Sequence, residues 1–127
     1  MIEVKGTTIY CTRGDNGNTL GNNIEFGYED VDGNPVDFSI GQKVIFKVFD
    51  PKNVQNVVIQ KEINIEEVCS SITIPLTNED TSFGNYINKP VKYNYEISID
   101  DTGTIIGYDE DGPKEFILLP EGGEKQW

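Results

Sequence analysis

Residues 90–100 read Pro-Val-Lys-Tyr-Asn-Tyr-Glu-Ile-Ser-Ile-Asp, and this stretch decides the fold class. Five apolar side chains, from Val91 to Ile99, alternate with four polar ones. Successive side chains of a β-strand point to opposite faces, so this period of two predicts a strand with one apolar and one polar face. A sheet that packs one face on the core and turns the other to water is typically antiparallel. The stretch therefore predicts an all-β domain.

Further short apolar stretches follow one another along the chain, separated by turn residues. They cover residues 7–12, 23–29, 43–50, 54–63, 72–76, 91–99, 103–109 and 114–119, with a short one at residues 2–4 before them. Seven to eight strands with turns at near-regular intervals and no helical period predict an antiparallel β-sandwich or barrel. Tyr93 and Tyr95 fall on the apolar face of their strand, where one hydroxyl is expected to serve a tyrosine corner.

Turn signals separate these strands. Residues 30–35 and 109–113 are predicted as hairpin turns, and residues 77–81 as a capped turn or a single helical turn. The Asp and Asn residues of both hairpins resemble a calcium loop, but the glycine comes too early for an EF-hand, so a turn is favoured and calcium is the alternative. Arg13-Gly14-Asp15 matches an integrin-type tripeptide and is interpreted as part of a turn over residues 13–18.

Length and composition limit the class of protein. The chain has 127 residues, 36% of them apolar, which suffices for one domain with a single core. We expect a domain over residues 1–120 and a polar tail over residues 121–127. The net charge of −12 argues against nucleic-acid binding, because phosphate contacts need clustered Lys and Arg. The chain has no histidine, which excludes Ser-His, Cys-His and most zinc sites. No catalysis, metal or cofactor is expected.

The cysteines and the first residues bear on the cellular compartment. Cys11 and Cys69 are expected as reduced thiols, Cys11 packing as a small hydrophobe, with a bridge between them as the alternative. The chain opens without the basic start and apolar run of a signal peptide, and no segment is apolar enough to span a membrane.

Five segments in a fixed order carry a family resemblance: residues 9–15 with the Arg-Gly-Asp turn, 30–38 with an Asp-Gly-Asn-Pro hairpin, 41–48, 76–81 and 93–97 with Tyr-Asn-Tyr-Glu-Ile. Together they resemble small phage and prophage tail or baseplate proteins of Firmicutes, of the immunoglobulin-like β-sandwich type found at the N-terminus of baseplate upper proteins. The resemblance implies an Ig-like antiparallel β-sandwich. It also implies a structural or adaptor module of a virion, assembled in the bacterial cytoplasm, that binds copies of itself or neighbouring tail proteins without catalysis.

Sheet edges and charge suggest how such contacts would form. Four lysines between residues 43 and 61 face a single carboxylate, whereas residues 96–124 are strongly acidic. We expect Lys43, Lys47 and Lys61 to contact the acidic segment of another copy, in a homo-oligomer that salt weakens.

A carbohydrate- or surface-binding Ig-like module is the alternative function. Such modules make contact through loops at one end of the sandwich, where exposed aromatic side chains would cluster. The aromatic candidates are Phe38, Phe83 and Tyr86, and the last two are also predicted partner contacts.

Overall fold

The computed structural model describes residues 2–15 and 24–121. These residues form eleven β-strands and one short helix. The elements are β1 (Ile2–Lys5), β2 (Thr8–Thr12), β3 (Ile24–Phe26), β4 (Tyr28–Glu29), β5 (Pro35–Val36), β6 (Lys43–Asp50), β7 (Asn53–Asn64), β8 (Ile72–Ile74), α1 (Asn78–Thr81), β9 (Val91–Ile99), β10 (Gly103–Ile106) and β11 (Lys114–Leu119). The prediction of an all-β fold is confirmed.

Seven strands form one large sheet in the order β1-β2-β11-β9-β6-β7, with β10 also paired to β9. Every neighbouring pair is antiparallel except β2 and β11, which run parallel. The sheet is therefore antiparallel, as predicted, at every neighbouring pair of the described strands except this one. Parallel neighbours need a long connection between them, and here nearly the whole chain lies between the two strands.

Strand β9 is hydrogen-bonded along both edges. One edge pairs with β6 over Val44↔Ile99 to Phe49↔Asn94. The other edge pairs with β11 up to Lys114↔Tyr95 and with β10 from Ile106↔Ile97 onward. Strands β10 and β11 therefore lie end to end beside β9, and residues 107–113 form a loop that leaves the sheet between them. The predicted turn over residues 109–113 forms, with an antiparallel bridge between Asp109 and Gly112. The predicted pairing of the two flanking strands was wrong, because both pair with β9 and not with each other.

The core lies against one face of the large sheet. Strand β11 alternates buried and half-buried residues throughout, and β6 does so up to Phe49. Strand β9 buries Tyr95, Ile97 and Ile99 on the same face. The largest fully buried side chains are Phe38, Phe46, Phe116, Ile2, Ile9, Ile74, Leu76, Ile97, Ile99, Leu118, Val44 and Val48. Residues of β3 and β8 belong to the same hydrophobic cluster, so this small sheet covers the core face of the large one.

Tyr95 links β9 to the residue before β2 on the core side of the large sheet. Its hydroxyl donates a hydrogen bond to the Thr7 carbonyl oxygen at 2.5 Å. Burial raises the pKa of Tyr95 to about 12, so the hydroxyl remains a donor at neutral pH. The predicted structural role for a tyrosine of this strand is confirmed, but the bond joins β9 to the start of β2 rather than forming a local corner.

A glycine divides the strand predicted over residues 23–29 into β3 and β4. A Cβ on Gly27 would lie 2.5 Å from the Ser70 carbonyl oxygen, so only glycine fits this close approach of two backbones. After the break, β4 pairs with β5 in the predicted hairpin. The Asp30 carboxylate accepts from the backbone N–H groups of Asp32 and Asn34 inside the turn.

The other sheets of the described residues are β3-β8 and β4-β5, each with two strands. The Ig-like sandwich stays a prediction. The described residues contain eleven strands rather than the seven to eight expected. The additional strands arise because the short stretch at the start forms β1, β3 and β4 are separate, and β5 was interpreted as part of a loop.

Helix α1 begins with the predicted cap. The Thr77 side chain accepts from the Asp80 backbone N–H at 3.2 Å, and Asp80 Oδ2 accepts from the Thr77 backbone N–H at 2.9 Å. The same carboxylate oxygen lies 2.9 Å from Nζ of Lys61, a residue of β7. Burial opposes ionisation of Asp80, but the bonds from Thr77 and Lys61 outweigh it and lower the carboxyl pKa.

Both cysteines are free thiols, as expected. Cys11 is fully buried on the core face of β2, and burial raises the pKa of its thiol to about 12. Cys69 is half-buried and pairs through its backbone with Phe38.

Replacing Asp80 by Ala should destabilise the protein by about 1–3 kcal/mol, because the cap bond and the ion pair are both lost. Since the native pKa of Asp80 is lowered, its contribution is complete above the ordinary value of 3.8 and is lost as the pH falls through the native value. Urea unfolding across pH 2–7 measures this. Asp80→Asn should remove the pH dependence that Asp80 gives to the free energy of unfolding. Glu79→Ala, on the exposed side of α1, is the control and should keep that pH dependence. Equal pH profiles for Asp80→Ala and the wild type would contradict the assignment.

The native chain should react rapidly with a thiol reagent at one site only, because the Cys11 thiol is buried and protonated at neutral pH. Titration with a chromogenic disulfide at pH 8 should give one fast thiol in the folded protein and two after unfolding in urea. Cys69→Ser should abolish the fast reaction. Two fast thiols in the native chain would show that β2 opens readily.

Candidate interaction surfaces

The structure does not bring the three predicted lysines together. Lys43 and Lys47 alternate with buried Val44 on β6 and lie on the outer face of the large sheet. Lys61 pairs in register with Phe46, which places it on the core face at the sheet margin, where it binds Asp80. Lys43 Nζ lies 3.8 Å from Glu62 Oε2 on β7. The spacing of lysines in the sequence could not show that Lys61 forms an ion pair with Asp80 of α1 in the same chain.

The two predicted aromatic contacts follow α1. The Phe83 ring packs edge-on against Tyr93 at 5.2 Å between centroids, so Phe83 contributes to the core margin. Tyr86 is 48% exposed in the same loop. Phe38, the third aromatic candidate, is fully buried between Phe26 and Tyr28 and offers no surface.

Arg13 of the Arg-Gly-Asp turn is occupied inside the protein. Its guanidinium donates to the Ser82 and Gly84 carbonyl oxygens at 2.8 and 2.9 Å and lies 3.4 Å from Glu121 Oε1. The backbone N–H of Gly14, which has a φ of 87°, donates to the Thr81 carbonyl oxygen. The turn interpretation is confirmed over residues 13–15, and residues 16–18 of the predicted turn lie outside the described residues.

Glu121, the first residue of the predicted tail, is therefore held by Arg13. Residues 122–127 of that tail lie outside the described residues. Within residues 2–15 and 24–121, no group of three or more Cys, Asp or Glu side chains is arranged to hold a metal ion. Over the same part of the chain, no helix is long and apolar enough to cross a membrane.

Strand β7 forms one margin of the large sheet. It is 12 residues long, and within the described chain only β6 pairs with it. Its exposed side chains include Val54, at 65% exposure, and Val57, at 38%. A long strand with one unpaired edge presents backbone donors and acceptors that another strand can bind. The opposite margin, β1, has only four residues and buries Ile2.

A groove of about 570 Å³ lies where β10 and β11 separate. Its floor is β9 at Asn94, Tyr95 and Glu96, and one wall is the tip of the β6–β7 hairpin, with Phe49 and Pro51. The other wall is the loop over residues 107–113, here called the Tyr108 loop. This groove was not predictable from the sequence, because it depends on β10 and β11 both pairing with the same edge of β9.

Tyr108 is 82% exposed, the most exposed aromatic side chain of the described residues. The loop that carries it is fastened by Lys114, whose ammonium lies 2.7 Å from Asp109 Oδ2. The Lys114 side chain is only 9% exposed, and its hydrogen bond is the first cause of a lowered Asp109 pKa. The Asp109 carboxylate also accepts from the Asp111 backbone N–H, so the Tyr108 loop has a defined turn.

No protein-family model matches the chain, and neither a curated protein nor a solved structure was found that is similar to it. The resemblance to phage tail and baseplate proteins therefore stays a prediction from the sequence.

Replacing Arg13 by Ala should destabilise the protein by about 1–3 kcal/mol, because two backbone carbonyl groups and Glu121 lose a charged partner. Urea unfolding monitored by far-ultraviolet circular dichroism measures the change. Arg13→Lys keeps the charge without the planar fork and should recover only part of the loss. An unchanged midpoint for Arg13→Ala would instead favour a free, recognition role for the tripeptide.

Proposed function

We propose that the protein is a structural or adaptor module of a phage or prophage tail or baseplate, a virion component that acts by assembly with copies of itself or with neighbouring tail proteins. The link to phage tails derives from the order of the sequence segments described above. The assembly function is supported by one structural observation above all, which is the long, unpaired edge of β7.

Backbone groups at such an edge favour assembly by strand addition. An added strand satisfies the outward N–H and C=O groups along β7 and gains affinity from main-chain hydrogen bonds. Many proteins protect such edges with prolines, inward charges or bulges. In β7, Lys61 points inward and the register shifts beside Val57, but the strand has no proline and exposes Val54 and Val57. Of the three lysines predicted to make partner contacts, Lys61 is bound to Asp80 of its own chain. Only Lys43 and Lys47 lie on an outer surface where a second chain could reach them.

Carbohydrate or surface binding is a second candidate function. The observation that favours it is the exposed Tyr108 beside a groove with polar side chains on its floor. Exposed aromatic side chains in loops are the feature expected of such modules, and here the residue is Tyr108 rather than Phe83 or Tyr86.

Val57→Lys should weaken self-association about tenfold in dissociation constant, because a charge beside the β7 edge repels a second strand and removes apolar contact. Sedimentation velocity over a wide range of protein and salt concentrations measures the association. The matched control is Val31→Lys, since Val31 is fully exposed in the β4–β5 turn and belongs neither to β7 nor to its partner β6.

Equal association of Val57→Lys and the wild type would exclude the β7 edge as the contact. A wild-type chain that remains monomeric at every concentration would contradict assembly with copies of itself. An association that is insensitive to salt would remove Lys43 and Lys47 from the contact.

A further inference from the structure

We infer that the groove beside Tyr108 is a binding site for a neutral saccharide unit. This inference deepens the second candidate function by naming the site and the ligand class. Val54 of β7 also lines the groove, so the test below uses Tyr108, which lies outside β7.

The dimensions and walls of the groove suit a small ligand. A volume of about 570 Å³ lies within the range of small-molecule sites, which is roughly 300–1,000 Å³. Phe49, Pro51 and Pro113 give it apolar walls, and Asn94 and Glu96 place hydrogen-bonding groups on its floor. Few polar groups among apolar walls are typical of sites that orient a ligand as well as bury it.

The charged side chains of the groove lining are Glu96 and Lys114. Lys114 is already paired with Asp109 at 2.7 Å, and the exposed Glu110 and Asp111 of the Tyr108 loop add negative charge beside the groove. An anionic ligand is therefore disfavoured, and an uncharged polar ligand suits the mixed apolar and polar lining.

A saccharide unit matches both kinds of surface. Its C–H face can pack on an aromatic ring, while its hydroxyl groups can bond to an amide, a carboxylate or the ion pair. Tyr108 offers a ring that is 82% exposed, carried on a loop that the Lys114–Asp109 pair holds in place. A tyrosine has few rotatable bonds, so it supplies contact area at low entropic cost.

Protein-observed ¹H–¹⁵N NMR on the intact chain tests this directly, with chitotriose, maltotriose, cellotriose and rhamnose as probes. At least one probe should give saturable shifts with a dissociation constant of about 1 mM or tighter. The shifts should be confined to amides around the groove, including those of Asn94, Glu96 and Tyr108.

Variants identify the surface that binds. Tyr108→Ala should weaken binding at least about tenfold, and Tyr108→Phe should retain most of it, because the ring supplies the packing surface. Tyr86→Ala is the matched control, since Tyr86 is also exposed but lies in the loop after α1, outside the groove lining. Glu96→Gln should change affinity without changing the fold.

Three results would overturn the inference, and they separate it from the second candidate function. Saccharide binding that Tyr108→Ala leaves unchanged would place the site elsewhere while keeping carbohydrate binding as a function. Binding only of sialylated or sulfated probes, added as a second panel, would reject the neutral ligand class. No shift with any probe would reject both the site and carbohydrate binding.

Discussion

The constraint on which the structure depends is that β9 must satisfy hydrogen bonds along both edges while turning only one face to the core. Its two-residue period fixes which side chains of β6 and β11 are buried, since paired residues share a face. A slip of one residue would move Tyr95, Ile97 and Ile99 to the outer face, expose the core and break the Tyr95–Thr7 bond. The register of β9 therefore determines which side chains form the core. Substitutions that disturb the pairing of β9 should also disturb the packing of the core.

A second set of bonds lies around α1. Arg13 binds the loop after α1 and Glu121, and Lys61 binds the cap of α1. Thr81, fully buried, donates to the Asp15 carbonyl oxygen at 2.7 Å. These polar bonds add to the packing of Phe83 on Tyr93 of β9, and they depend on pH through Asp80, whose pKa is lowered in the native protein.

Local pattern was sufficient for most strands, both turn-forming Asp-Gly segments and the helix cap. Period-two alternation and turn chemistry act over a few residues, so they can be recognised without knowing the fold. The parallel β2–β11 pair, the break at Gly27 and the groove beside Tyr108 were not predictable. Each depends on residues far apart in sequence, such as Ser70 beside Gly27. Lys61 was mistaken for a surface contact for the same reason, since its partner Asp80 lies on another element.

The parallel pairing of β2 with β11 has a consequence for the order of folding. More than a hundred residues separate Ile9 from its register partner Phe116, so closing this contact requires one of the longest loops the chain can form. During synthesis, β2 can pair early only with the short β1. The edge of β2 that pairs with β11 stays unpaired until nearly the whole chain has been made. Folding should consequently be slow for a domain of this size. A nascent chain should expose the unpaired edge of β2, which can aggregate with other chains, until β11 emerges.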